Sequence, residues 1–158
     1  MSVTIARFTK FYIGPQKTAV TLADYEASGN VWTEVGGVQD VGEIGDETTQ
    51  VKVLTMADAR ERSYRGVRQA GDLTLTVALD SADAGQKGMK DAFSAASQTD
   101  FLFKVVLPDM PAGGTSGTLL FFSGAVLSAQ RKIGGPNDPI QSIFKMGVNS
   151  DVLEVPAA

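Results

Sequence analysis

The 158-residue chain carries a formal net charge of −4 and contains neither cysteine nor histidine. Absence of cysteine excludes disulfides, thiolate nucleophiles and thiolate metal sites, and absence of histidine removes the commonest general base and metal ligand. Only carboxylate, lysine or serine chemistry remains, so we expect no enzyme activity, no cofactor and no metal site. A sequence pI near 4.8 also argues against a surface that grips a phosphate backbone.

Length and composition predict a single domain over residues 1–158, because no linker or compositional break divides the chain. The 17 glycines, with scattered threonine, serine and valine, favour β structure with many turns. No apolar run is long enough to span a membrane, and the N-terminus lacks the pattern of a signal peptide. We therefore expect a soluble protein that is not exported by a signal peptide.

The chain begins with two predicted strands, residues 3–13 and 31–35, which have the apolar and aromatic content of strands. The pattern between them is weak and allows one helical turn at residues 22–27. Trp32, the single tryptophan, is expected to anchor a core or an interface rather than a ligand.

A third strand is predicted at residues 46–54, where Val51 and Val53 share one face. The opposite face is wholly polar and consists of Asp46, Thr48, Gln50 and Lys52. Acidic residues gather at the start of this strand, namely Asp40, Glu43, Asp46 and Glu47. Their spacing does not match a calcium-binding loop, which leaves a solvated strand edge or an acidic surface with a purpose.

Residues 55–71 show no convincing periodicity and predict a long loop. Four arginines and a tyrosine dominate its second half: Arg60, Arg62, Tyr64, Arg65 and Arg68. These side chains fit a solvated, self-paired loop or a segment that orders against a partner, since arginine and tyrosine are favoured interface anchors. Nucleic-acid recognition is a weaker alternative, because one tyrosine among four arginines is a thin signal.

The clearest strand in the sequence is residues 72–79, where Leu73, Leu75, Val77 and Leu79 alternate with polar or small residues. A helix is predicted to follow, with Asp83 as its N-cap. Its single apolar stripe consists of Met89, Ala92, Phe93 and Ala96. This helix is expected to pack on a sheet.

The C-terminal part predicts strands at residues 100–107, 118–124, 125–133, 140–148 and 152–155, with Gly124 as a bulge or bend. Taken together, the elements predict a mainly β fold. We expect a β-sandwich or partly closed barrel of about eight strands, with one flanking α-helix and a long inter-strand loop.

Several short motifs resemble the tail tube proteins of long, non-contractile bacteriophage tails, the lambda-like group. They are Tyr64-Arg65-Gly66, residues 70–77, Asp80, Gly85-Gln86, a helix ending near Phe93, and residues 122–126. The resemblance implies hexameric rings that stack into a tube, a structural virion protein and a conduit for DNA ejection into the host. Its partners would be further copies of the chain and the tape measure, tail terminator and tail tip proteins. DNA would pass without sequence-specific binding, no membrane would be involved, and the protein would be made in the host cytoplasm.

The resemblance also suggests roles for two sets of residues. The electronegative lumen of the tube would be lined by Asp46, Thr48, Gln50, Asp72, Thr74 and Thr76. Contacts between subunits or rings would be made by Arg60, Arg62, Tyr64, Arg65 and Arg68. Many relatives carry an additional C-terminal immunoglobulin-like domain, which we do not expect here.

Three other interpretations stay open from the sequence. The chain fits the tube protein of a contractile tail, tailocin or secretion apparatus, which would share the fold. It also fits a small monomeric β-barrel binding domain, which would show a concave pocket and one low-mass species. An enzyme is the weakest alternative, because no polar residues occur in a recognisable catalytic spacing.

Overall fold

The computed structural model describes residues 3–158 and is mainly β. Within these residues the strands are β1 Lys10–Gln16, β2 Thr33–Val35, β3 Val38–Asp40, β4 Glu47–Val53, β5 Arg62–Gln69, β6 Asp72–Ala78, β7 Phe101–Val106, β8 Leu119–Lys132, β9 Gln141–Val148 and β10 Leu153–Val155. The two helices are α1 Leu22–Glu26 and α2 Ala84–Ser94. Neither of these helices combines the length and the apolar character that a membrane crossing requires.

Eight strands form one antiparallel sheet in the order β2-β1-β7-β8-β9-β6-β3, with β10 paired to β8. The long strand β8 joins its two halves, because residues 119–124 pair with β7 and residues 124–132 pair with β9. Both halves contribute to one core, as expected of a sandwich. Among the described residues the strand order does not close into a full barrel, and the predicted mainly β, sandwich-like fold is confirmed.

The apolar face predicted for residues 72–79 lies at the centre of this core. Leu73, Leu75 and Val77 of β6 are fully buried, and they meet Phe144 and Met146 of β9. From the other half of the sheet, three phenylalanine rings pack together: Phe11, Phe103 and Phe122. The period-2 alternation therefore identified the buried face correctly.

Helix α2 begins as predicted, because the Asp83 side chain accepts a hydrogen bond from the Gln86 backbone N–H at 2.9 Å. Its buried stripe is narrower than predicted: Met89 and Ala92 are buried, whereas Phe93 is exposed. Ala96 lies beyond the helix, which ends at Ser94.

Two residues that carry the resemblance to the tail tube family, Asp80 and Gln86, are linked by hydrogen bonds of the Gln86 side chain. Its Nε2 donates to the carbonyls of Gly36 (3.0 Å) and Ala78 (2.8 Å), and its Oε1 accepts from the Asp80 N–H (3.0 Å). The buried amide thus ties the helix to the end of β6 and to the turn before β3. Its role is structural.

Two predicted features, the start of the first strand and the position of a bulge, were wrong, and a third was confirmed. Strand β1 begins at Lys10 rather than at residue 3, because Phe8 adopts φ +72°, which an extended strand does not allow. The bulge in β8 falls between Val126 and Ser128, whereas Gly124 is needed for close packing against the Gly147 carbonyl. The short helical turn is present as α1, which buries Tyr25.

The largest correction concerns the predicted long loop. Residues 62–69 of that loop form β5, which pairs with β4 in a separate two-stranded hairpin. The sequence concealed this strand because it lacks apolar alternation, and every residue of β5 is exposed. Backbone hydrogen bonds hold the pair together without a buried face.

Candidate assembly surface

The hairpin of β4 and β5 is the most unusual surface of the molecule. Among the described residues β4 pairs only with β5, so each strand keeps one edge unpaired. All of β5 and nearly all of β4 are exposed. An isolated hairpin is marginally stable in water, and free edges are templates for pairing with another chain. The hairpin therefore has the features of an interface that lacks its partner.

The register divides the hairpin into two faces of different chemistry. Residues opposite each other share a face, and the pairs Thr48–Arg68, Gln50–Arg65 and Lys52–Ser63 alternate with Val51–Tyr64 and Val53–Arg62. We call the first set the basic face: Thr48, Gln50, Lys52, Ser63, Arg65 and Arg68. The second set is the apolar face: Val51, Val53, Arg62 and Tyr64.

The apolar face exposes an uncommon amount of hydrophobic surface. Val51, Val53 and Tyr64 are 44%, 41% and 53% exposed. Arg62 keeps its charge near the hairpin turn, where its guanidinium lies 3.6 Å from the Asp58 carboxylate. This face is the side of the hairpin that gains most from burial.

The basic face carries three cations and no carboxylate. Within the described chain, Lys52, Arg65 and Arg68 make no ion pair, since the two ion pairs present there join other residues. On this face the Gln50 amide donates to the Ser63 hydroxyl at 2.7 Å. Because β5 was predicted to be a loop, the sequence did not assign its arginines to the face that Thr48, Gln50 and Lys52 share.

The polar face of β6 is separate from the hairpin. Asp72 and Thr74 are exposed and Thr76 is half-buried, on the side of β6 opposite its core residues. The Lys145 ammonium of β9 lies 3.2 Å from the Asp72 carboxylate. Strand β6 pairs with β9 and β3, whereas β4 pairs with β5.

Carboxylates line a groove at the root of the hairpin, beside Gln69 and Gly71. They belong to Glu43, Asp46, Glu47 and Asp72. No grouping of acidic residues suited to a metal ion occurs in the part of the chain that the structure describes. Three members of the acidic cluster seen in the sequence, Glu43, Asp46 and Glu47, line this groove, which we call the root groove, whereas Asp40 lies outside it.

One further charged site was missed by sequence reasoning. The Lys104 ammonium lies 4.5 Å from the ring centre of Tyr12 and 5.0 Å from that of Trp32. Burial lowers the pKa of Lys104. Trp32 itself packs on Phe121 with ring centres 6.0 Å apart, and only the lone tryptophan signalled this cluster in the sequence.

The fold is similar to that of chains in several solved particles. A protein in a six-fold symmetrised anti-feeding prophage baseplate aligns with a TM-score of 0.74 at 7% identity, over 99% of this chain and 97% of that one. A chain of the SPP1 tail tube aligns with a TM-score of 0.66 at 15% identity, over 98% and 80%. A chain from the tail of a gene transfer agent particle, refined with C6 symmetry, gives 0.60 at 15%, over 92% and 95%.

The sequence places the chain within a family. The model of the phage tail tube protein family, TTP, matches residues 26–119, which is more than half of the chain. The chain belongs to this family. No curated protein sequence matches it. The matched region includes the whole hairpin and helix α2.

Proposed function

We propose that the chain is a structural virion protein that assembles as stacked hexameric rings into a phage tail tube of the lambda-like, non-contractile type. The tube would be the conduit for DNA ejection. Family membership supports the tube, and the six-fold symmetry of two structural neighbours supports the ring. The observation that carries self-assembly is the exposed hairpin with two unpaired edges.

The hairpin would join neighbouring subunits. Its free edges would pair with strands of adjacent copies, and its apolar face would pack against them, which removes Val51, Val53 and Tyr64 from water. The arginines that were expected to make subunit or ring contacts then lie on two different faces of the hairpin. Arg62 and Tyr64, with Arg60 near the turn, would lie at the subunit contact, whereas Arg65 and Arg68 lie on the opposite face.

The polar surfaces would then face the lumen. Asp46, Thr48, Gln50, Asp72, Thr74 and Thr76 remain the proposed lining, now together with the bases of the basic face. Burial of the apolar face supports this orientation, because only the polar side of the hairpin is then left for water. The lining would be mixed in charge rather than strongly electronegative.

The proposed partners and location follow from the proposed place of the chain in a phage tail. The partners would be further copies of the chain, the tape measure protein, the tail terminator and the tail tip proteins. DNA would pass without sequence-specific recognition. The protein would be made in the host cytoplasm, reside in the virion tail, and need neither a cofactor nor catalytic residues.

A second candidate is the tube protein of a contractile tail, tailocin or secretion apparatus. The likeness to the anti-feeding prophage baseplate protein, which covers almost the whole chain, favours it. A neighbouring sheath gene would support the contractile assignment, and its absence from a complete tail gene cluster would support the non-contractile one.

The role of the hairpin is tested by a variant that makes its apolar face polar, Val51→Ser with Tyr64→Ser. We expect the concentration needed for assembly to rise by at least about tenfold, because roughly 1.4 kcal/mol of lost burial gives this factor. The control is Val20→Ser, which alters an exposed valine outside the hairpin. Equal assembly of the hairpin variant, the control and the natural chain by electron microscopy would refute this role.

A further inference from the structure

Two cations of the basic face, Lys52 and Arg65, do not pair with the carboxylates of the root groove within one copy of the chain. Lys52 and Arg65 lie along the hairpin, away from the groove with its carboxylates from Glu43 and Asp46. Lys52 is six residues beyond Asp46, a separation of about 20 Å at about 3.3 Å per residue. A lysine side chain cannot cover that distance, so Lys52 does not reach the groove of its own copy.

Arg68 differs from the other two bases. It lines a second groove together with Asp46 of the same copy, although the two side chains do not form an ion pair. Its charge is therefore partly balanced within the subunit. Lys52 and Arg65 are the cations that most need an external partner.

We propose that Lys52 and Arg65 of one copy dock against the root groove of the next copy, where Glu43 and Asp46 receive them. This inference rests on the proposed assembly into rings and names the surfaces that meet. Two different patches of one chain then form a head-to-tail contact, the type that closes into a ring. Charge complementarity selects a second copy as the occupant, because the same chain displays both signs.

The contact also accounts for bases on a surface that is proposed to line a DNA conduit. Cations that pair laterally with the carboxylates of the next subunit are less available to phosphates. At each subunit boundary the lining would be close to neutral. Exposed ion pairs contribute little singly, so their main effect is to fix the register and orientation of neighbours.

The test is a reciprocal charge reversal. Variant A carries Lys52→Glu and Arg65→Glu, and variant B carries Glu43→Lys and Asp46→Lys. Because like charges would then face each other, each variant alone should need about a tenfold higher concentration to assemble. An equimolar mixture should assemble as readily as the natural chain, with A and B alternating around the ring, since each hairpin then meets a groove of opposite charge.

The control for charge alone is Lys87→Glu with Lys90→Glu, two exposed lysines on helix α2. Circular dichroism and thermal unfolding establish that all variants fold. Recovery of assembly in the mixture supports the inference. The inference is overturned if the two variants are defective alone and stay defective when mixed. It is also overturned if each variant assembles normally alone. Assembly of the natural chain reports separately on the proposed function. Failure of the natural chain to assemble alone or on a tail tip would overturn both proposals.

Discussion

Two glycines in helix α2 differ in what a methyl group would meet. A Cβ at Gly85 would lie 2.1 Å from the Glu34 carbonyl oxygen and 2.5 Å from the Val35 Cα, both backbone atoms of β2. A Cβ at Gly88 would meet only the Ile13 Cγ2 at 3.4 Å, which is an ordinary contact. The pair therefore separates helix propensity from packing at two neighbouring positions of one helix.

Replacement by alanine should have opposite effects at these positions. Gly88→Ala should stabilise the fold by about 0.5–1 kcal/mol, the gain of alanine over glycine in a helix. Gly85→Ala gains the same propensity but forces the helix and β2 apart by about 1 Å in a close-packed interior, for a net loss of about 1–3 kcal/mol. For a chain of this length, 1 kcal/mol corresponds to roughly 2–4 °C in Tm.

Thermal unfolding of both variants by circular dichroism, beside the natural chain, measures the difference. The Tm of Gly88→Ala should rise by roughly 1–4 °C, and that of Gly85→Ala should fall by roughly 2–12 °C. A Gly85→Ala variant as stable as Gly88→Ala would refute the close contact between α2 and β2. Chemical denaturation with equal m-values would establish that both changes act on stability alone.

Two further predictions concern the lumen and the loop between β7 and β8. Because the sequence has no cysteine, Thr74→Cys introduces a unique thiol. In assembled tubes this thiol should react with a small maleimide but not with a bulky polymer maleimide. The control Lys90→Cys should react with both reagents. Rapid polymer labelling of both would exclude a lumenal Thr74. Hydrogen bonds from the Thr118 hydroxyl and N–H hold the pKa of Asp109 below its ordinary value of 3.8. This stabilisation is present above pH 3.8 and is lost as the pH falls through the folded-state pKa. The Tm of Asp109→Asn should therefore lie below that of the natural chain at neutral pH, and the difference should shrink on acidification. A difference that is constant down to pH 2 would contradict this prediction.

Those parts of the fold that bury one face were readable from the sequence. The alternation of Leu73, Leu75 and Val77 gave the central strand and its buried side, and Asp83 gave the start of α2. These signals are local, since a half-buried strand and a capped helix both leave their pattern within a few residues.

The candidate site was harder to predict for a physical reason. Strand β5 buries neither face within the chain, so selection of apolar residues at every second position is absent. Its arginines could be singled out, but which of them share a face depends on the pairing with β4 and on the extra residue opposite Thr49. Register is a property of two strands, and only the structure separates Arg65 and Arg68 from Arg62 and Tyr64.

The pairing partners of β4 and β6 were not readable either. Both strands have one polar face, but β4 belongs to the separate hairpin and β6 to the large sheet. The actual neighbours of β6 are β9 and β3, which are set by long-range pairing over the whole chain. Patterns of single strands do not encode strand order.

The most direct test of the account is the assembly state of the natural chain. The purified protein should be concentrated stepwise, with its mass measured in solution and its particles viewed by electron microscopy, with and without a tail tip complex as initiator. Six-membered rings or hollow tubes are the predicted result. A strict monomer at every concentration, even with the initiator present, would contradict assembly through the hairpin.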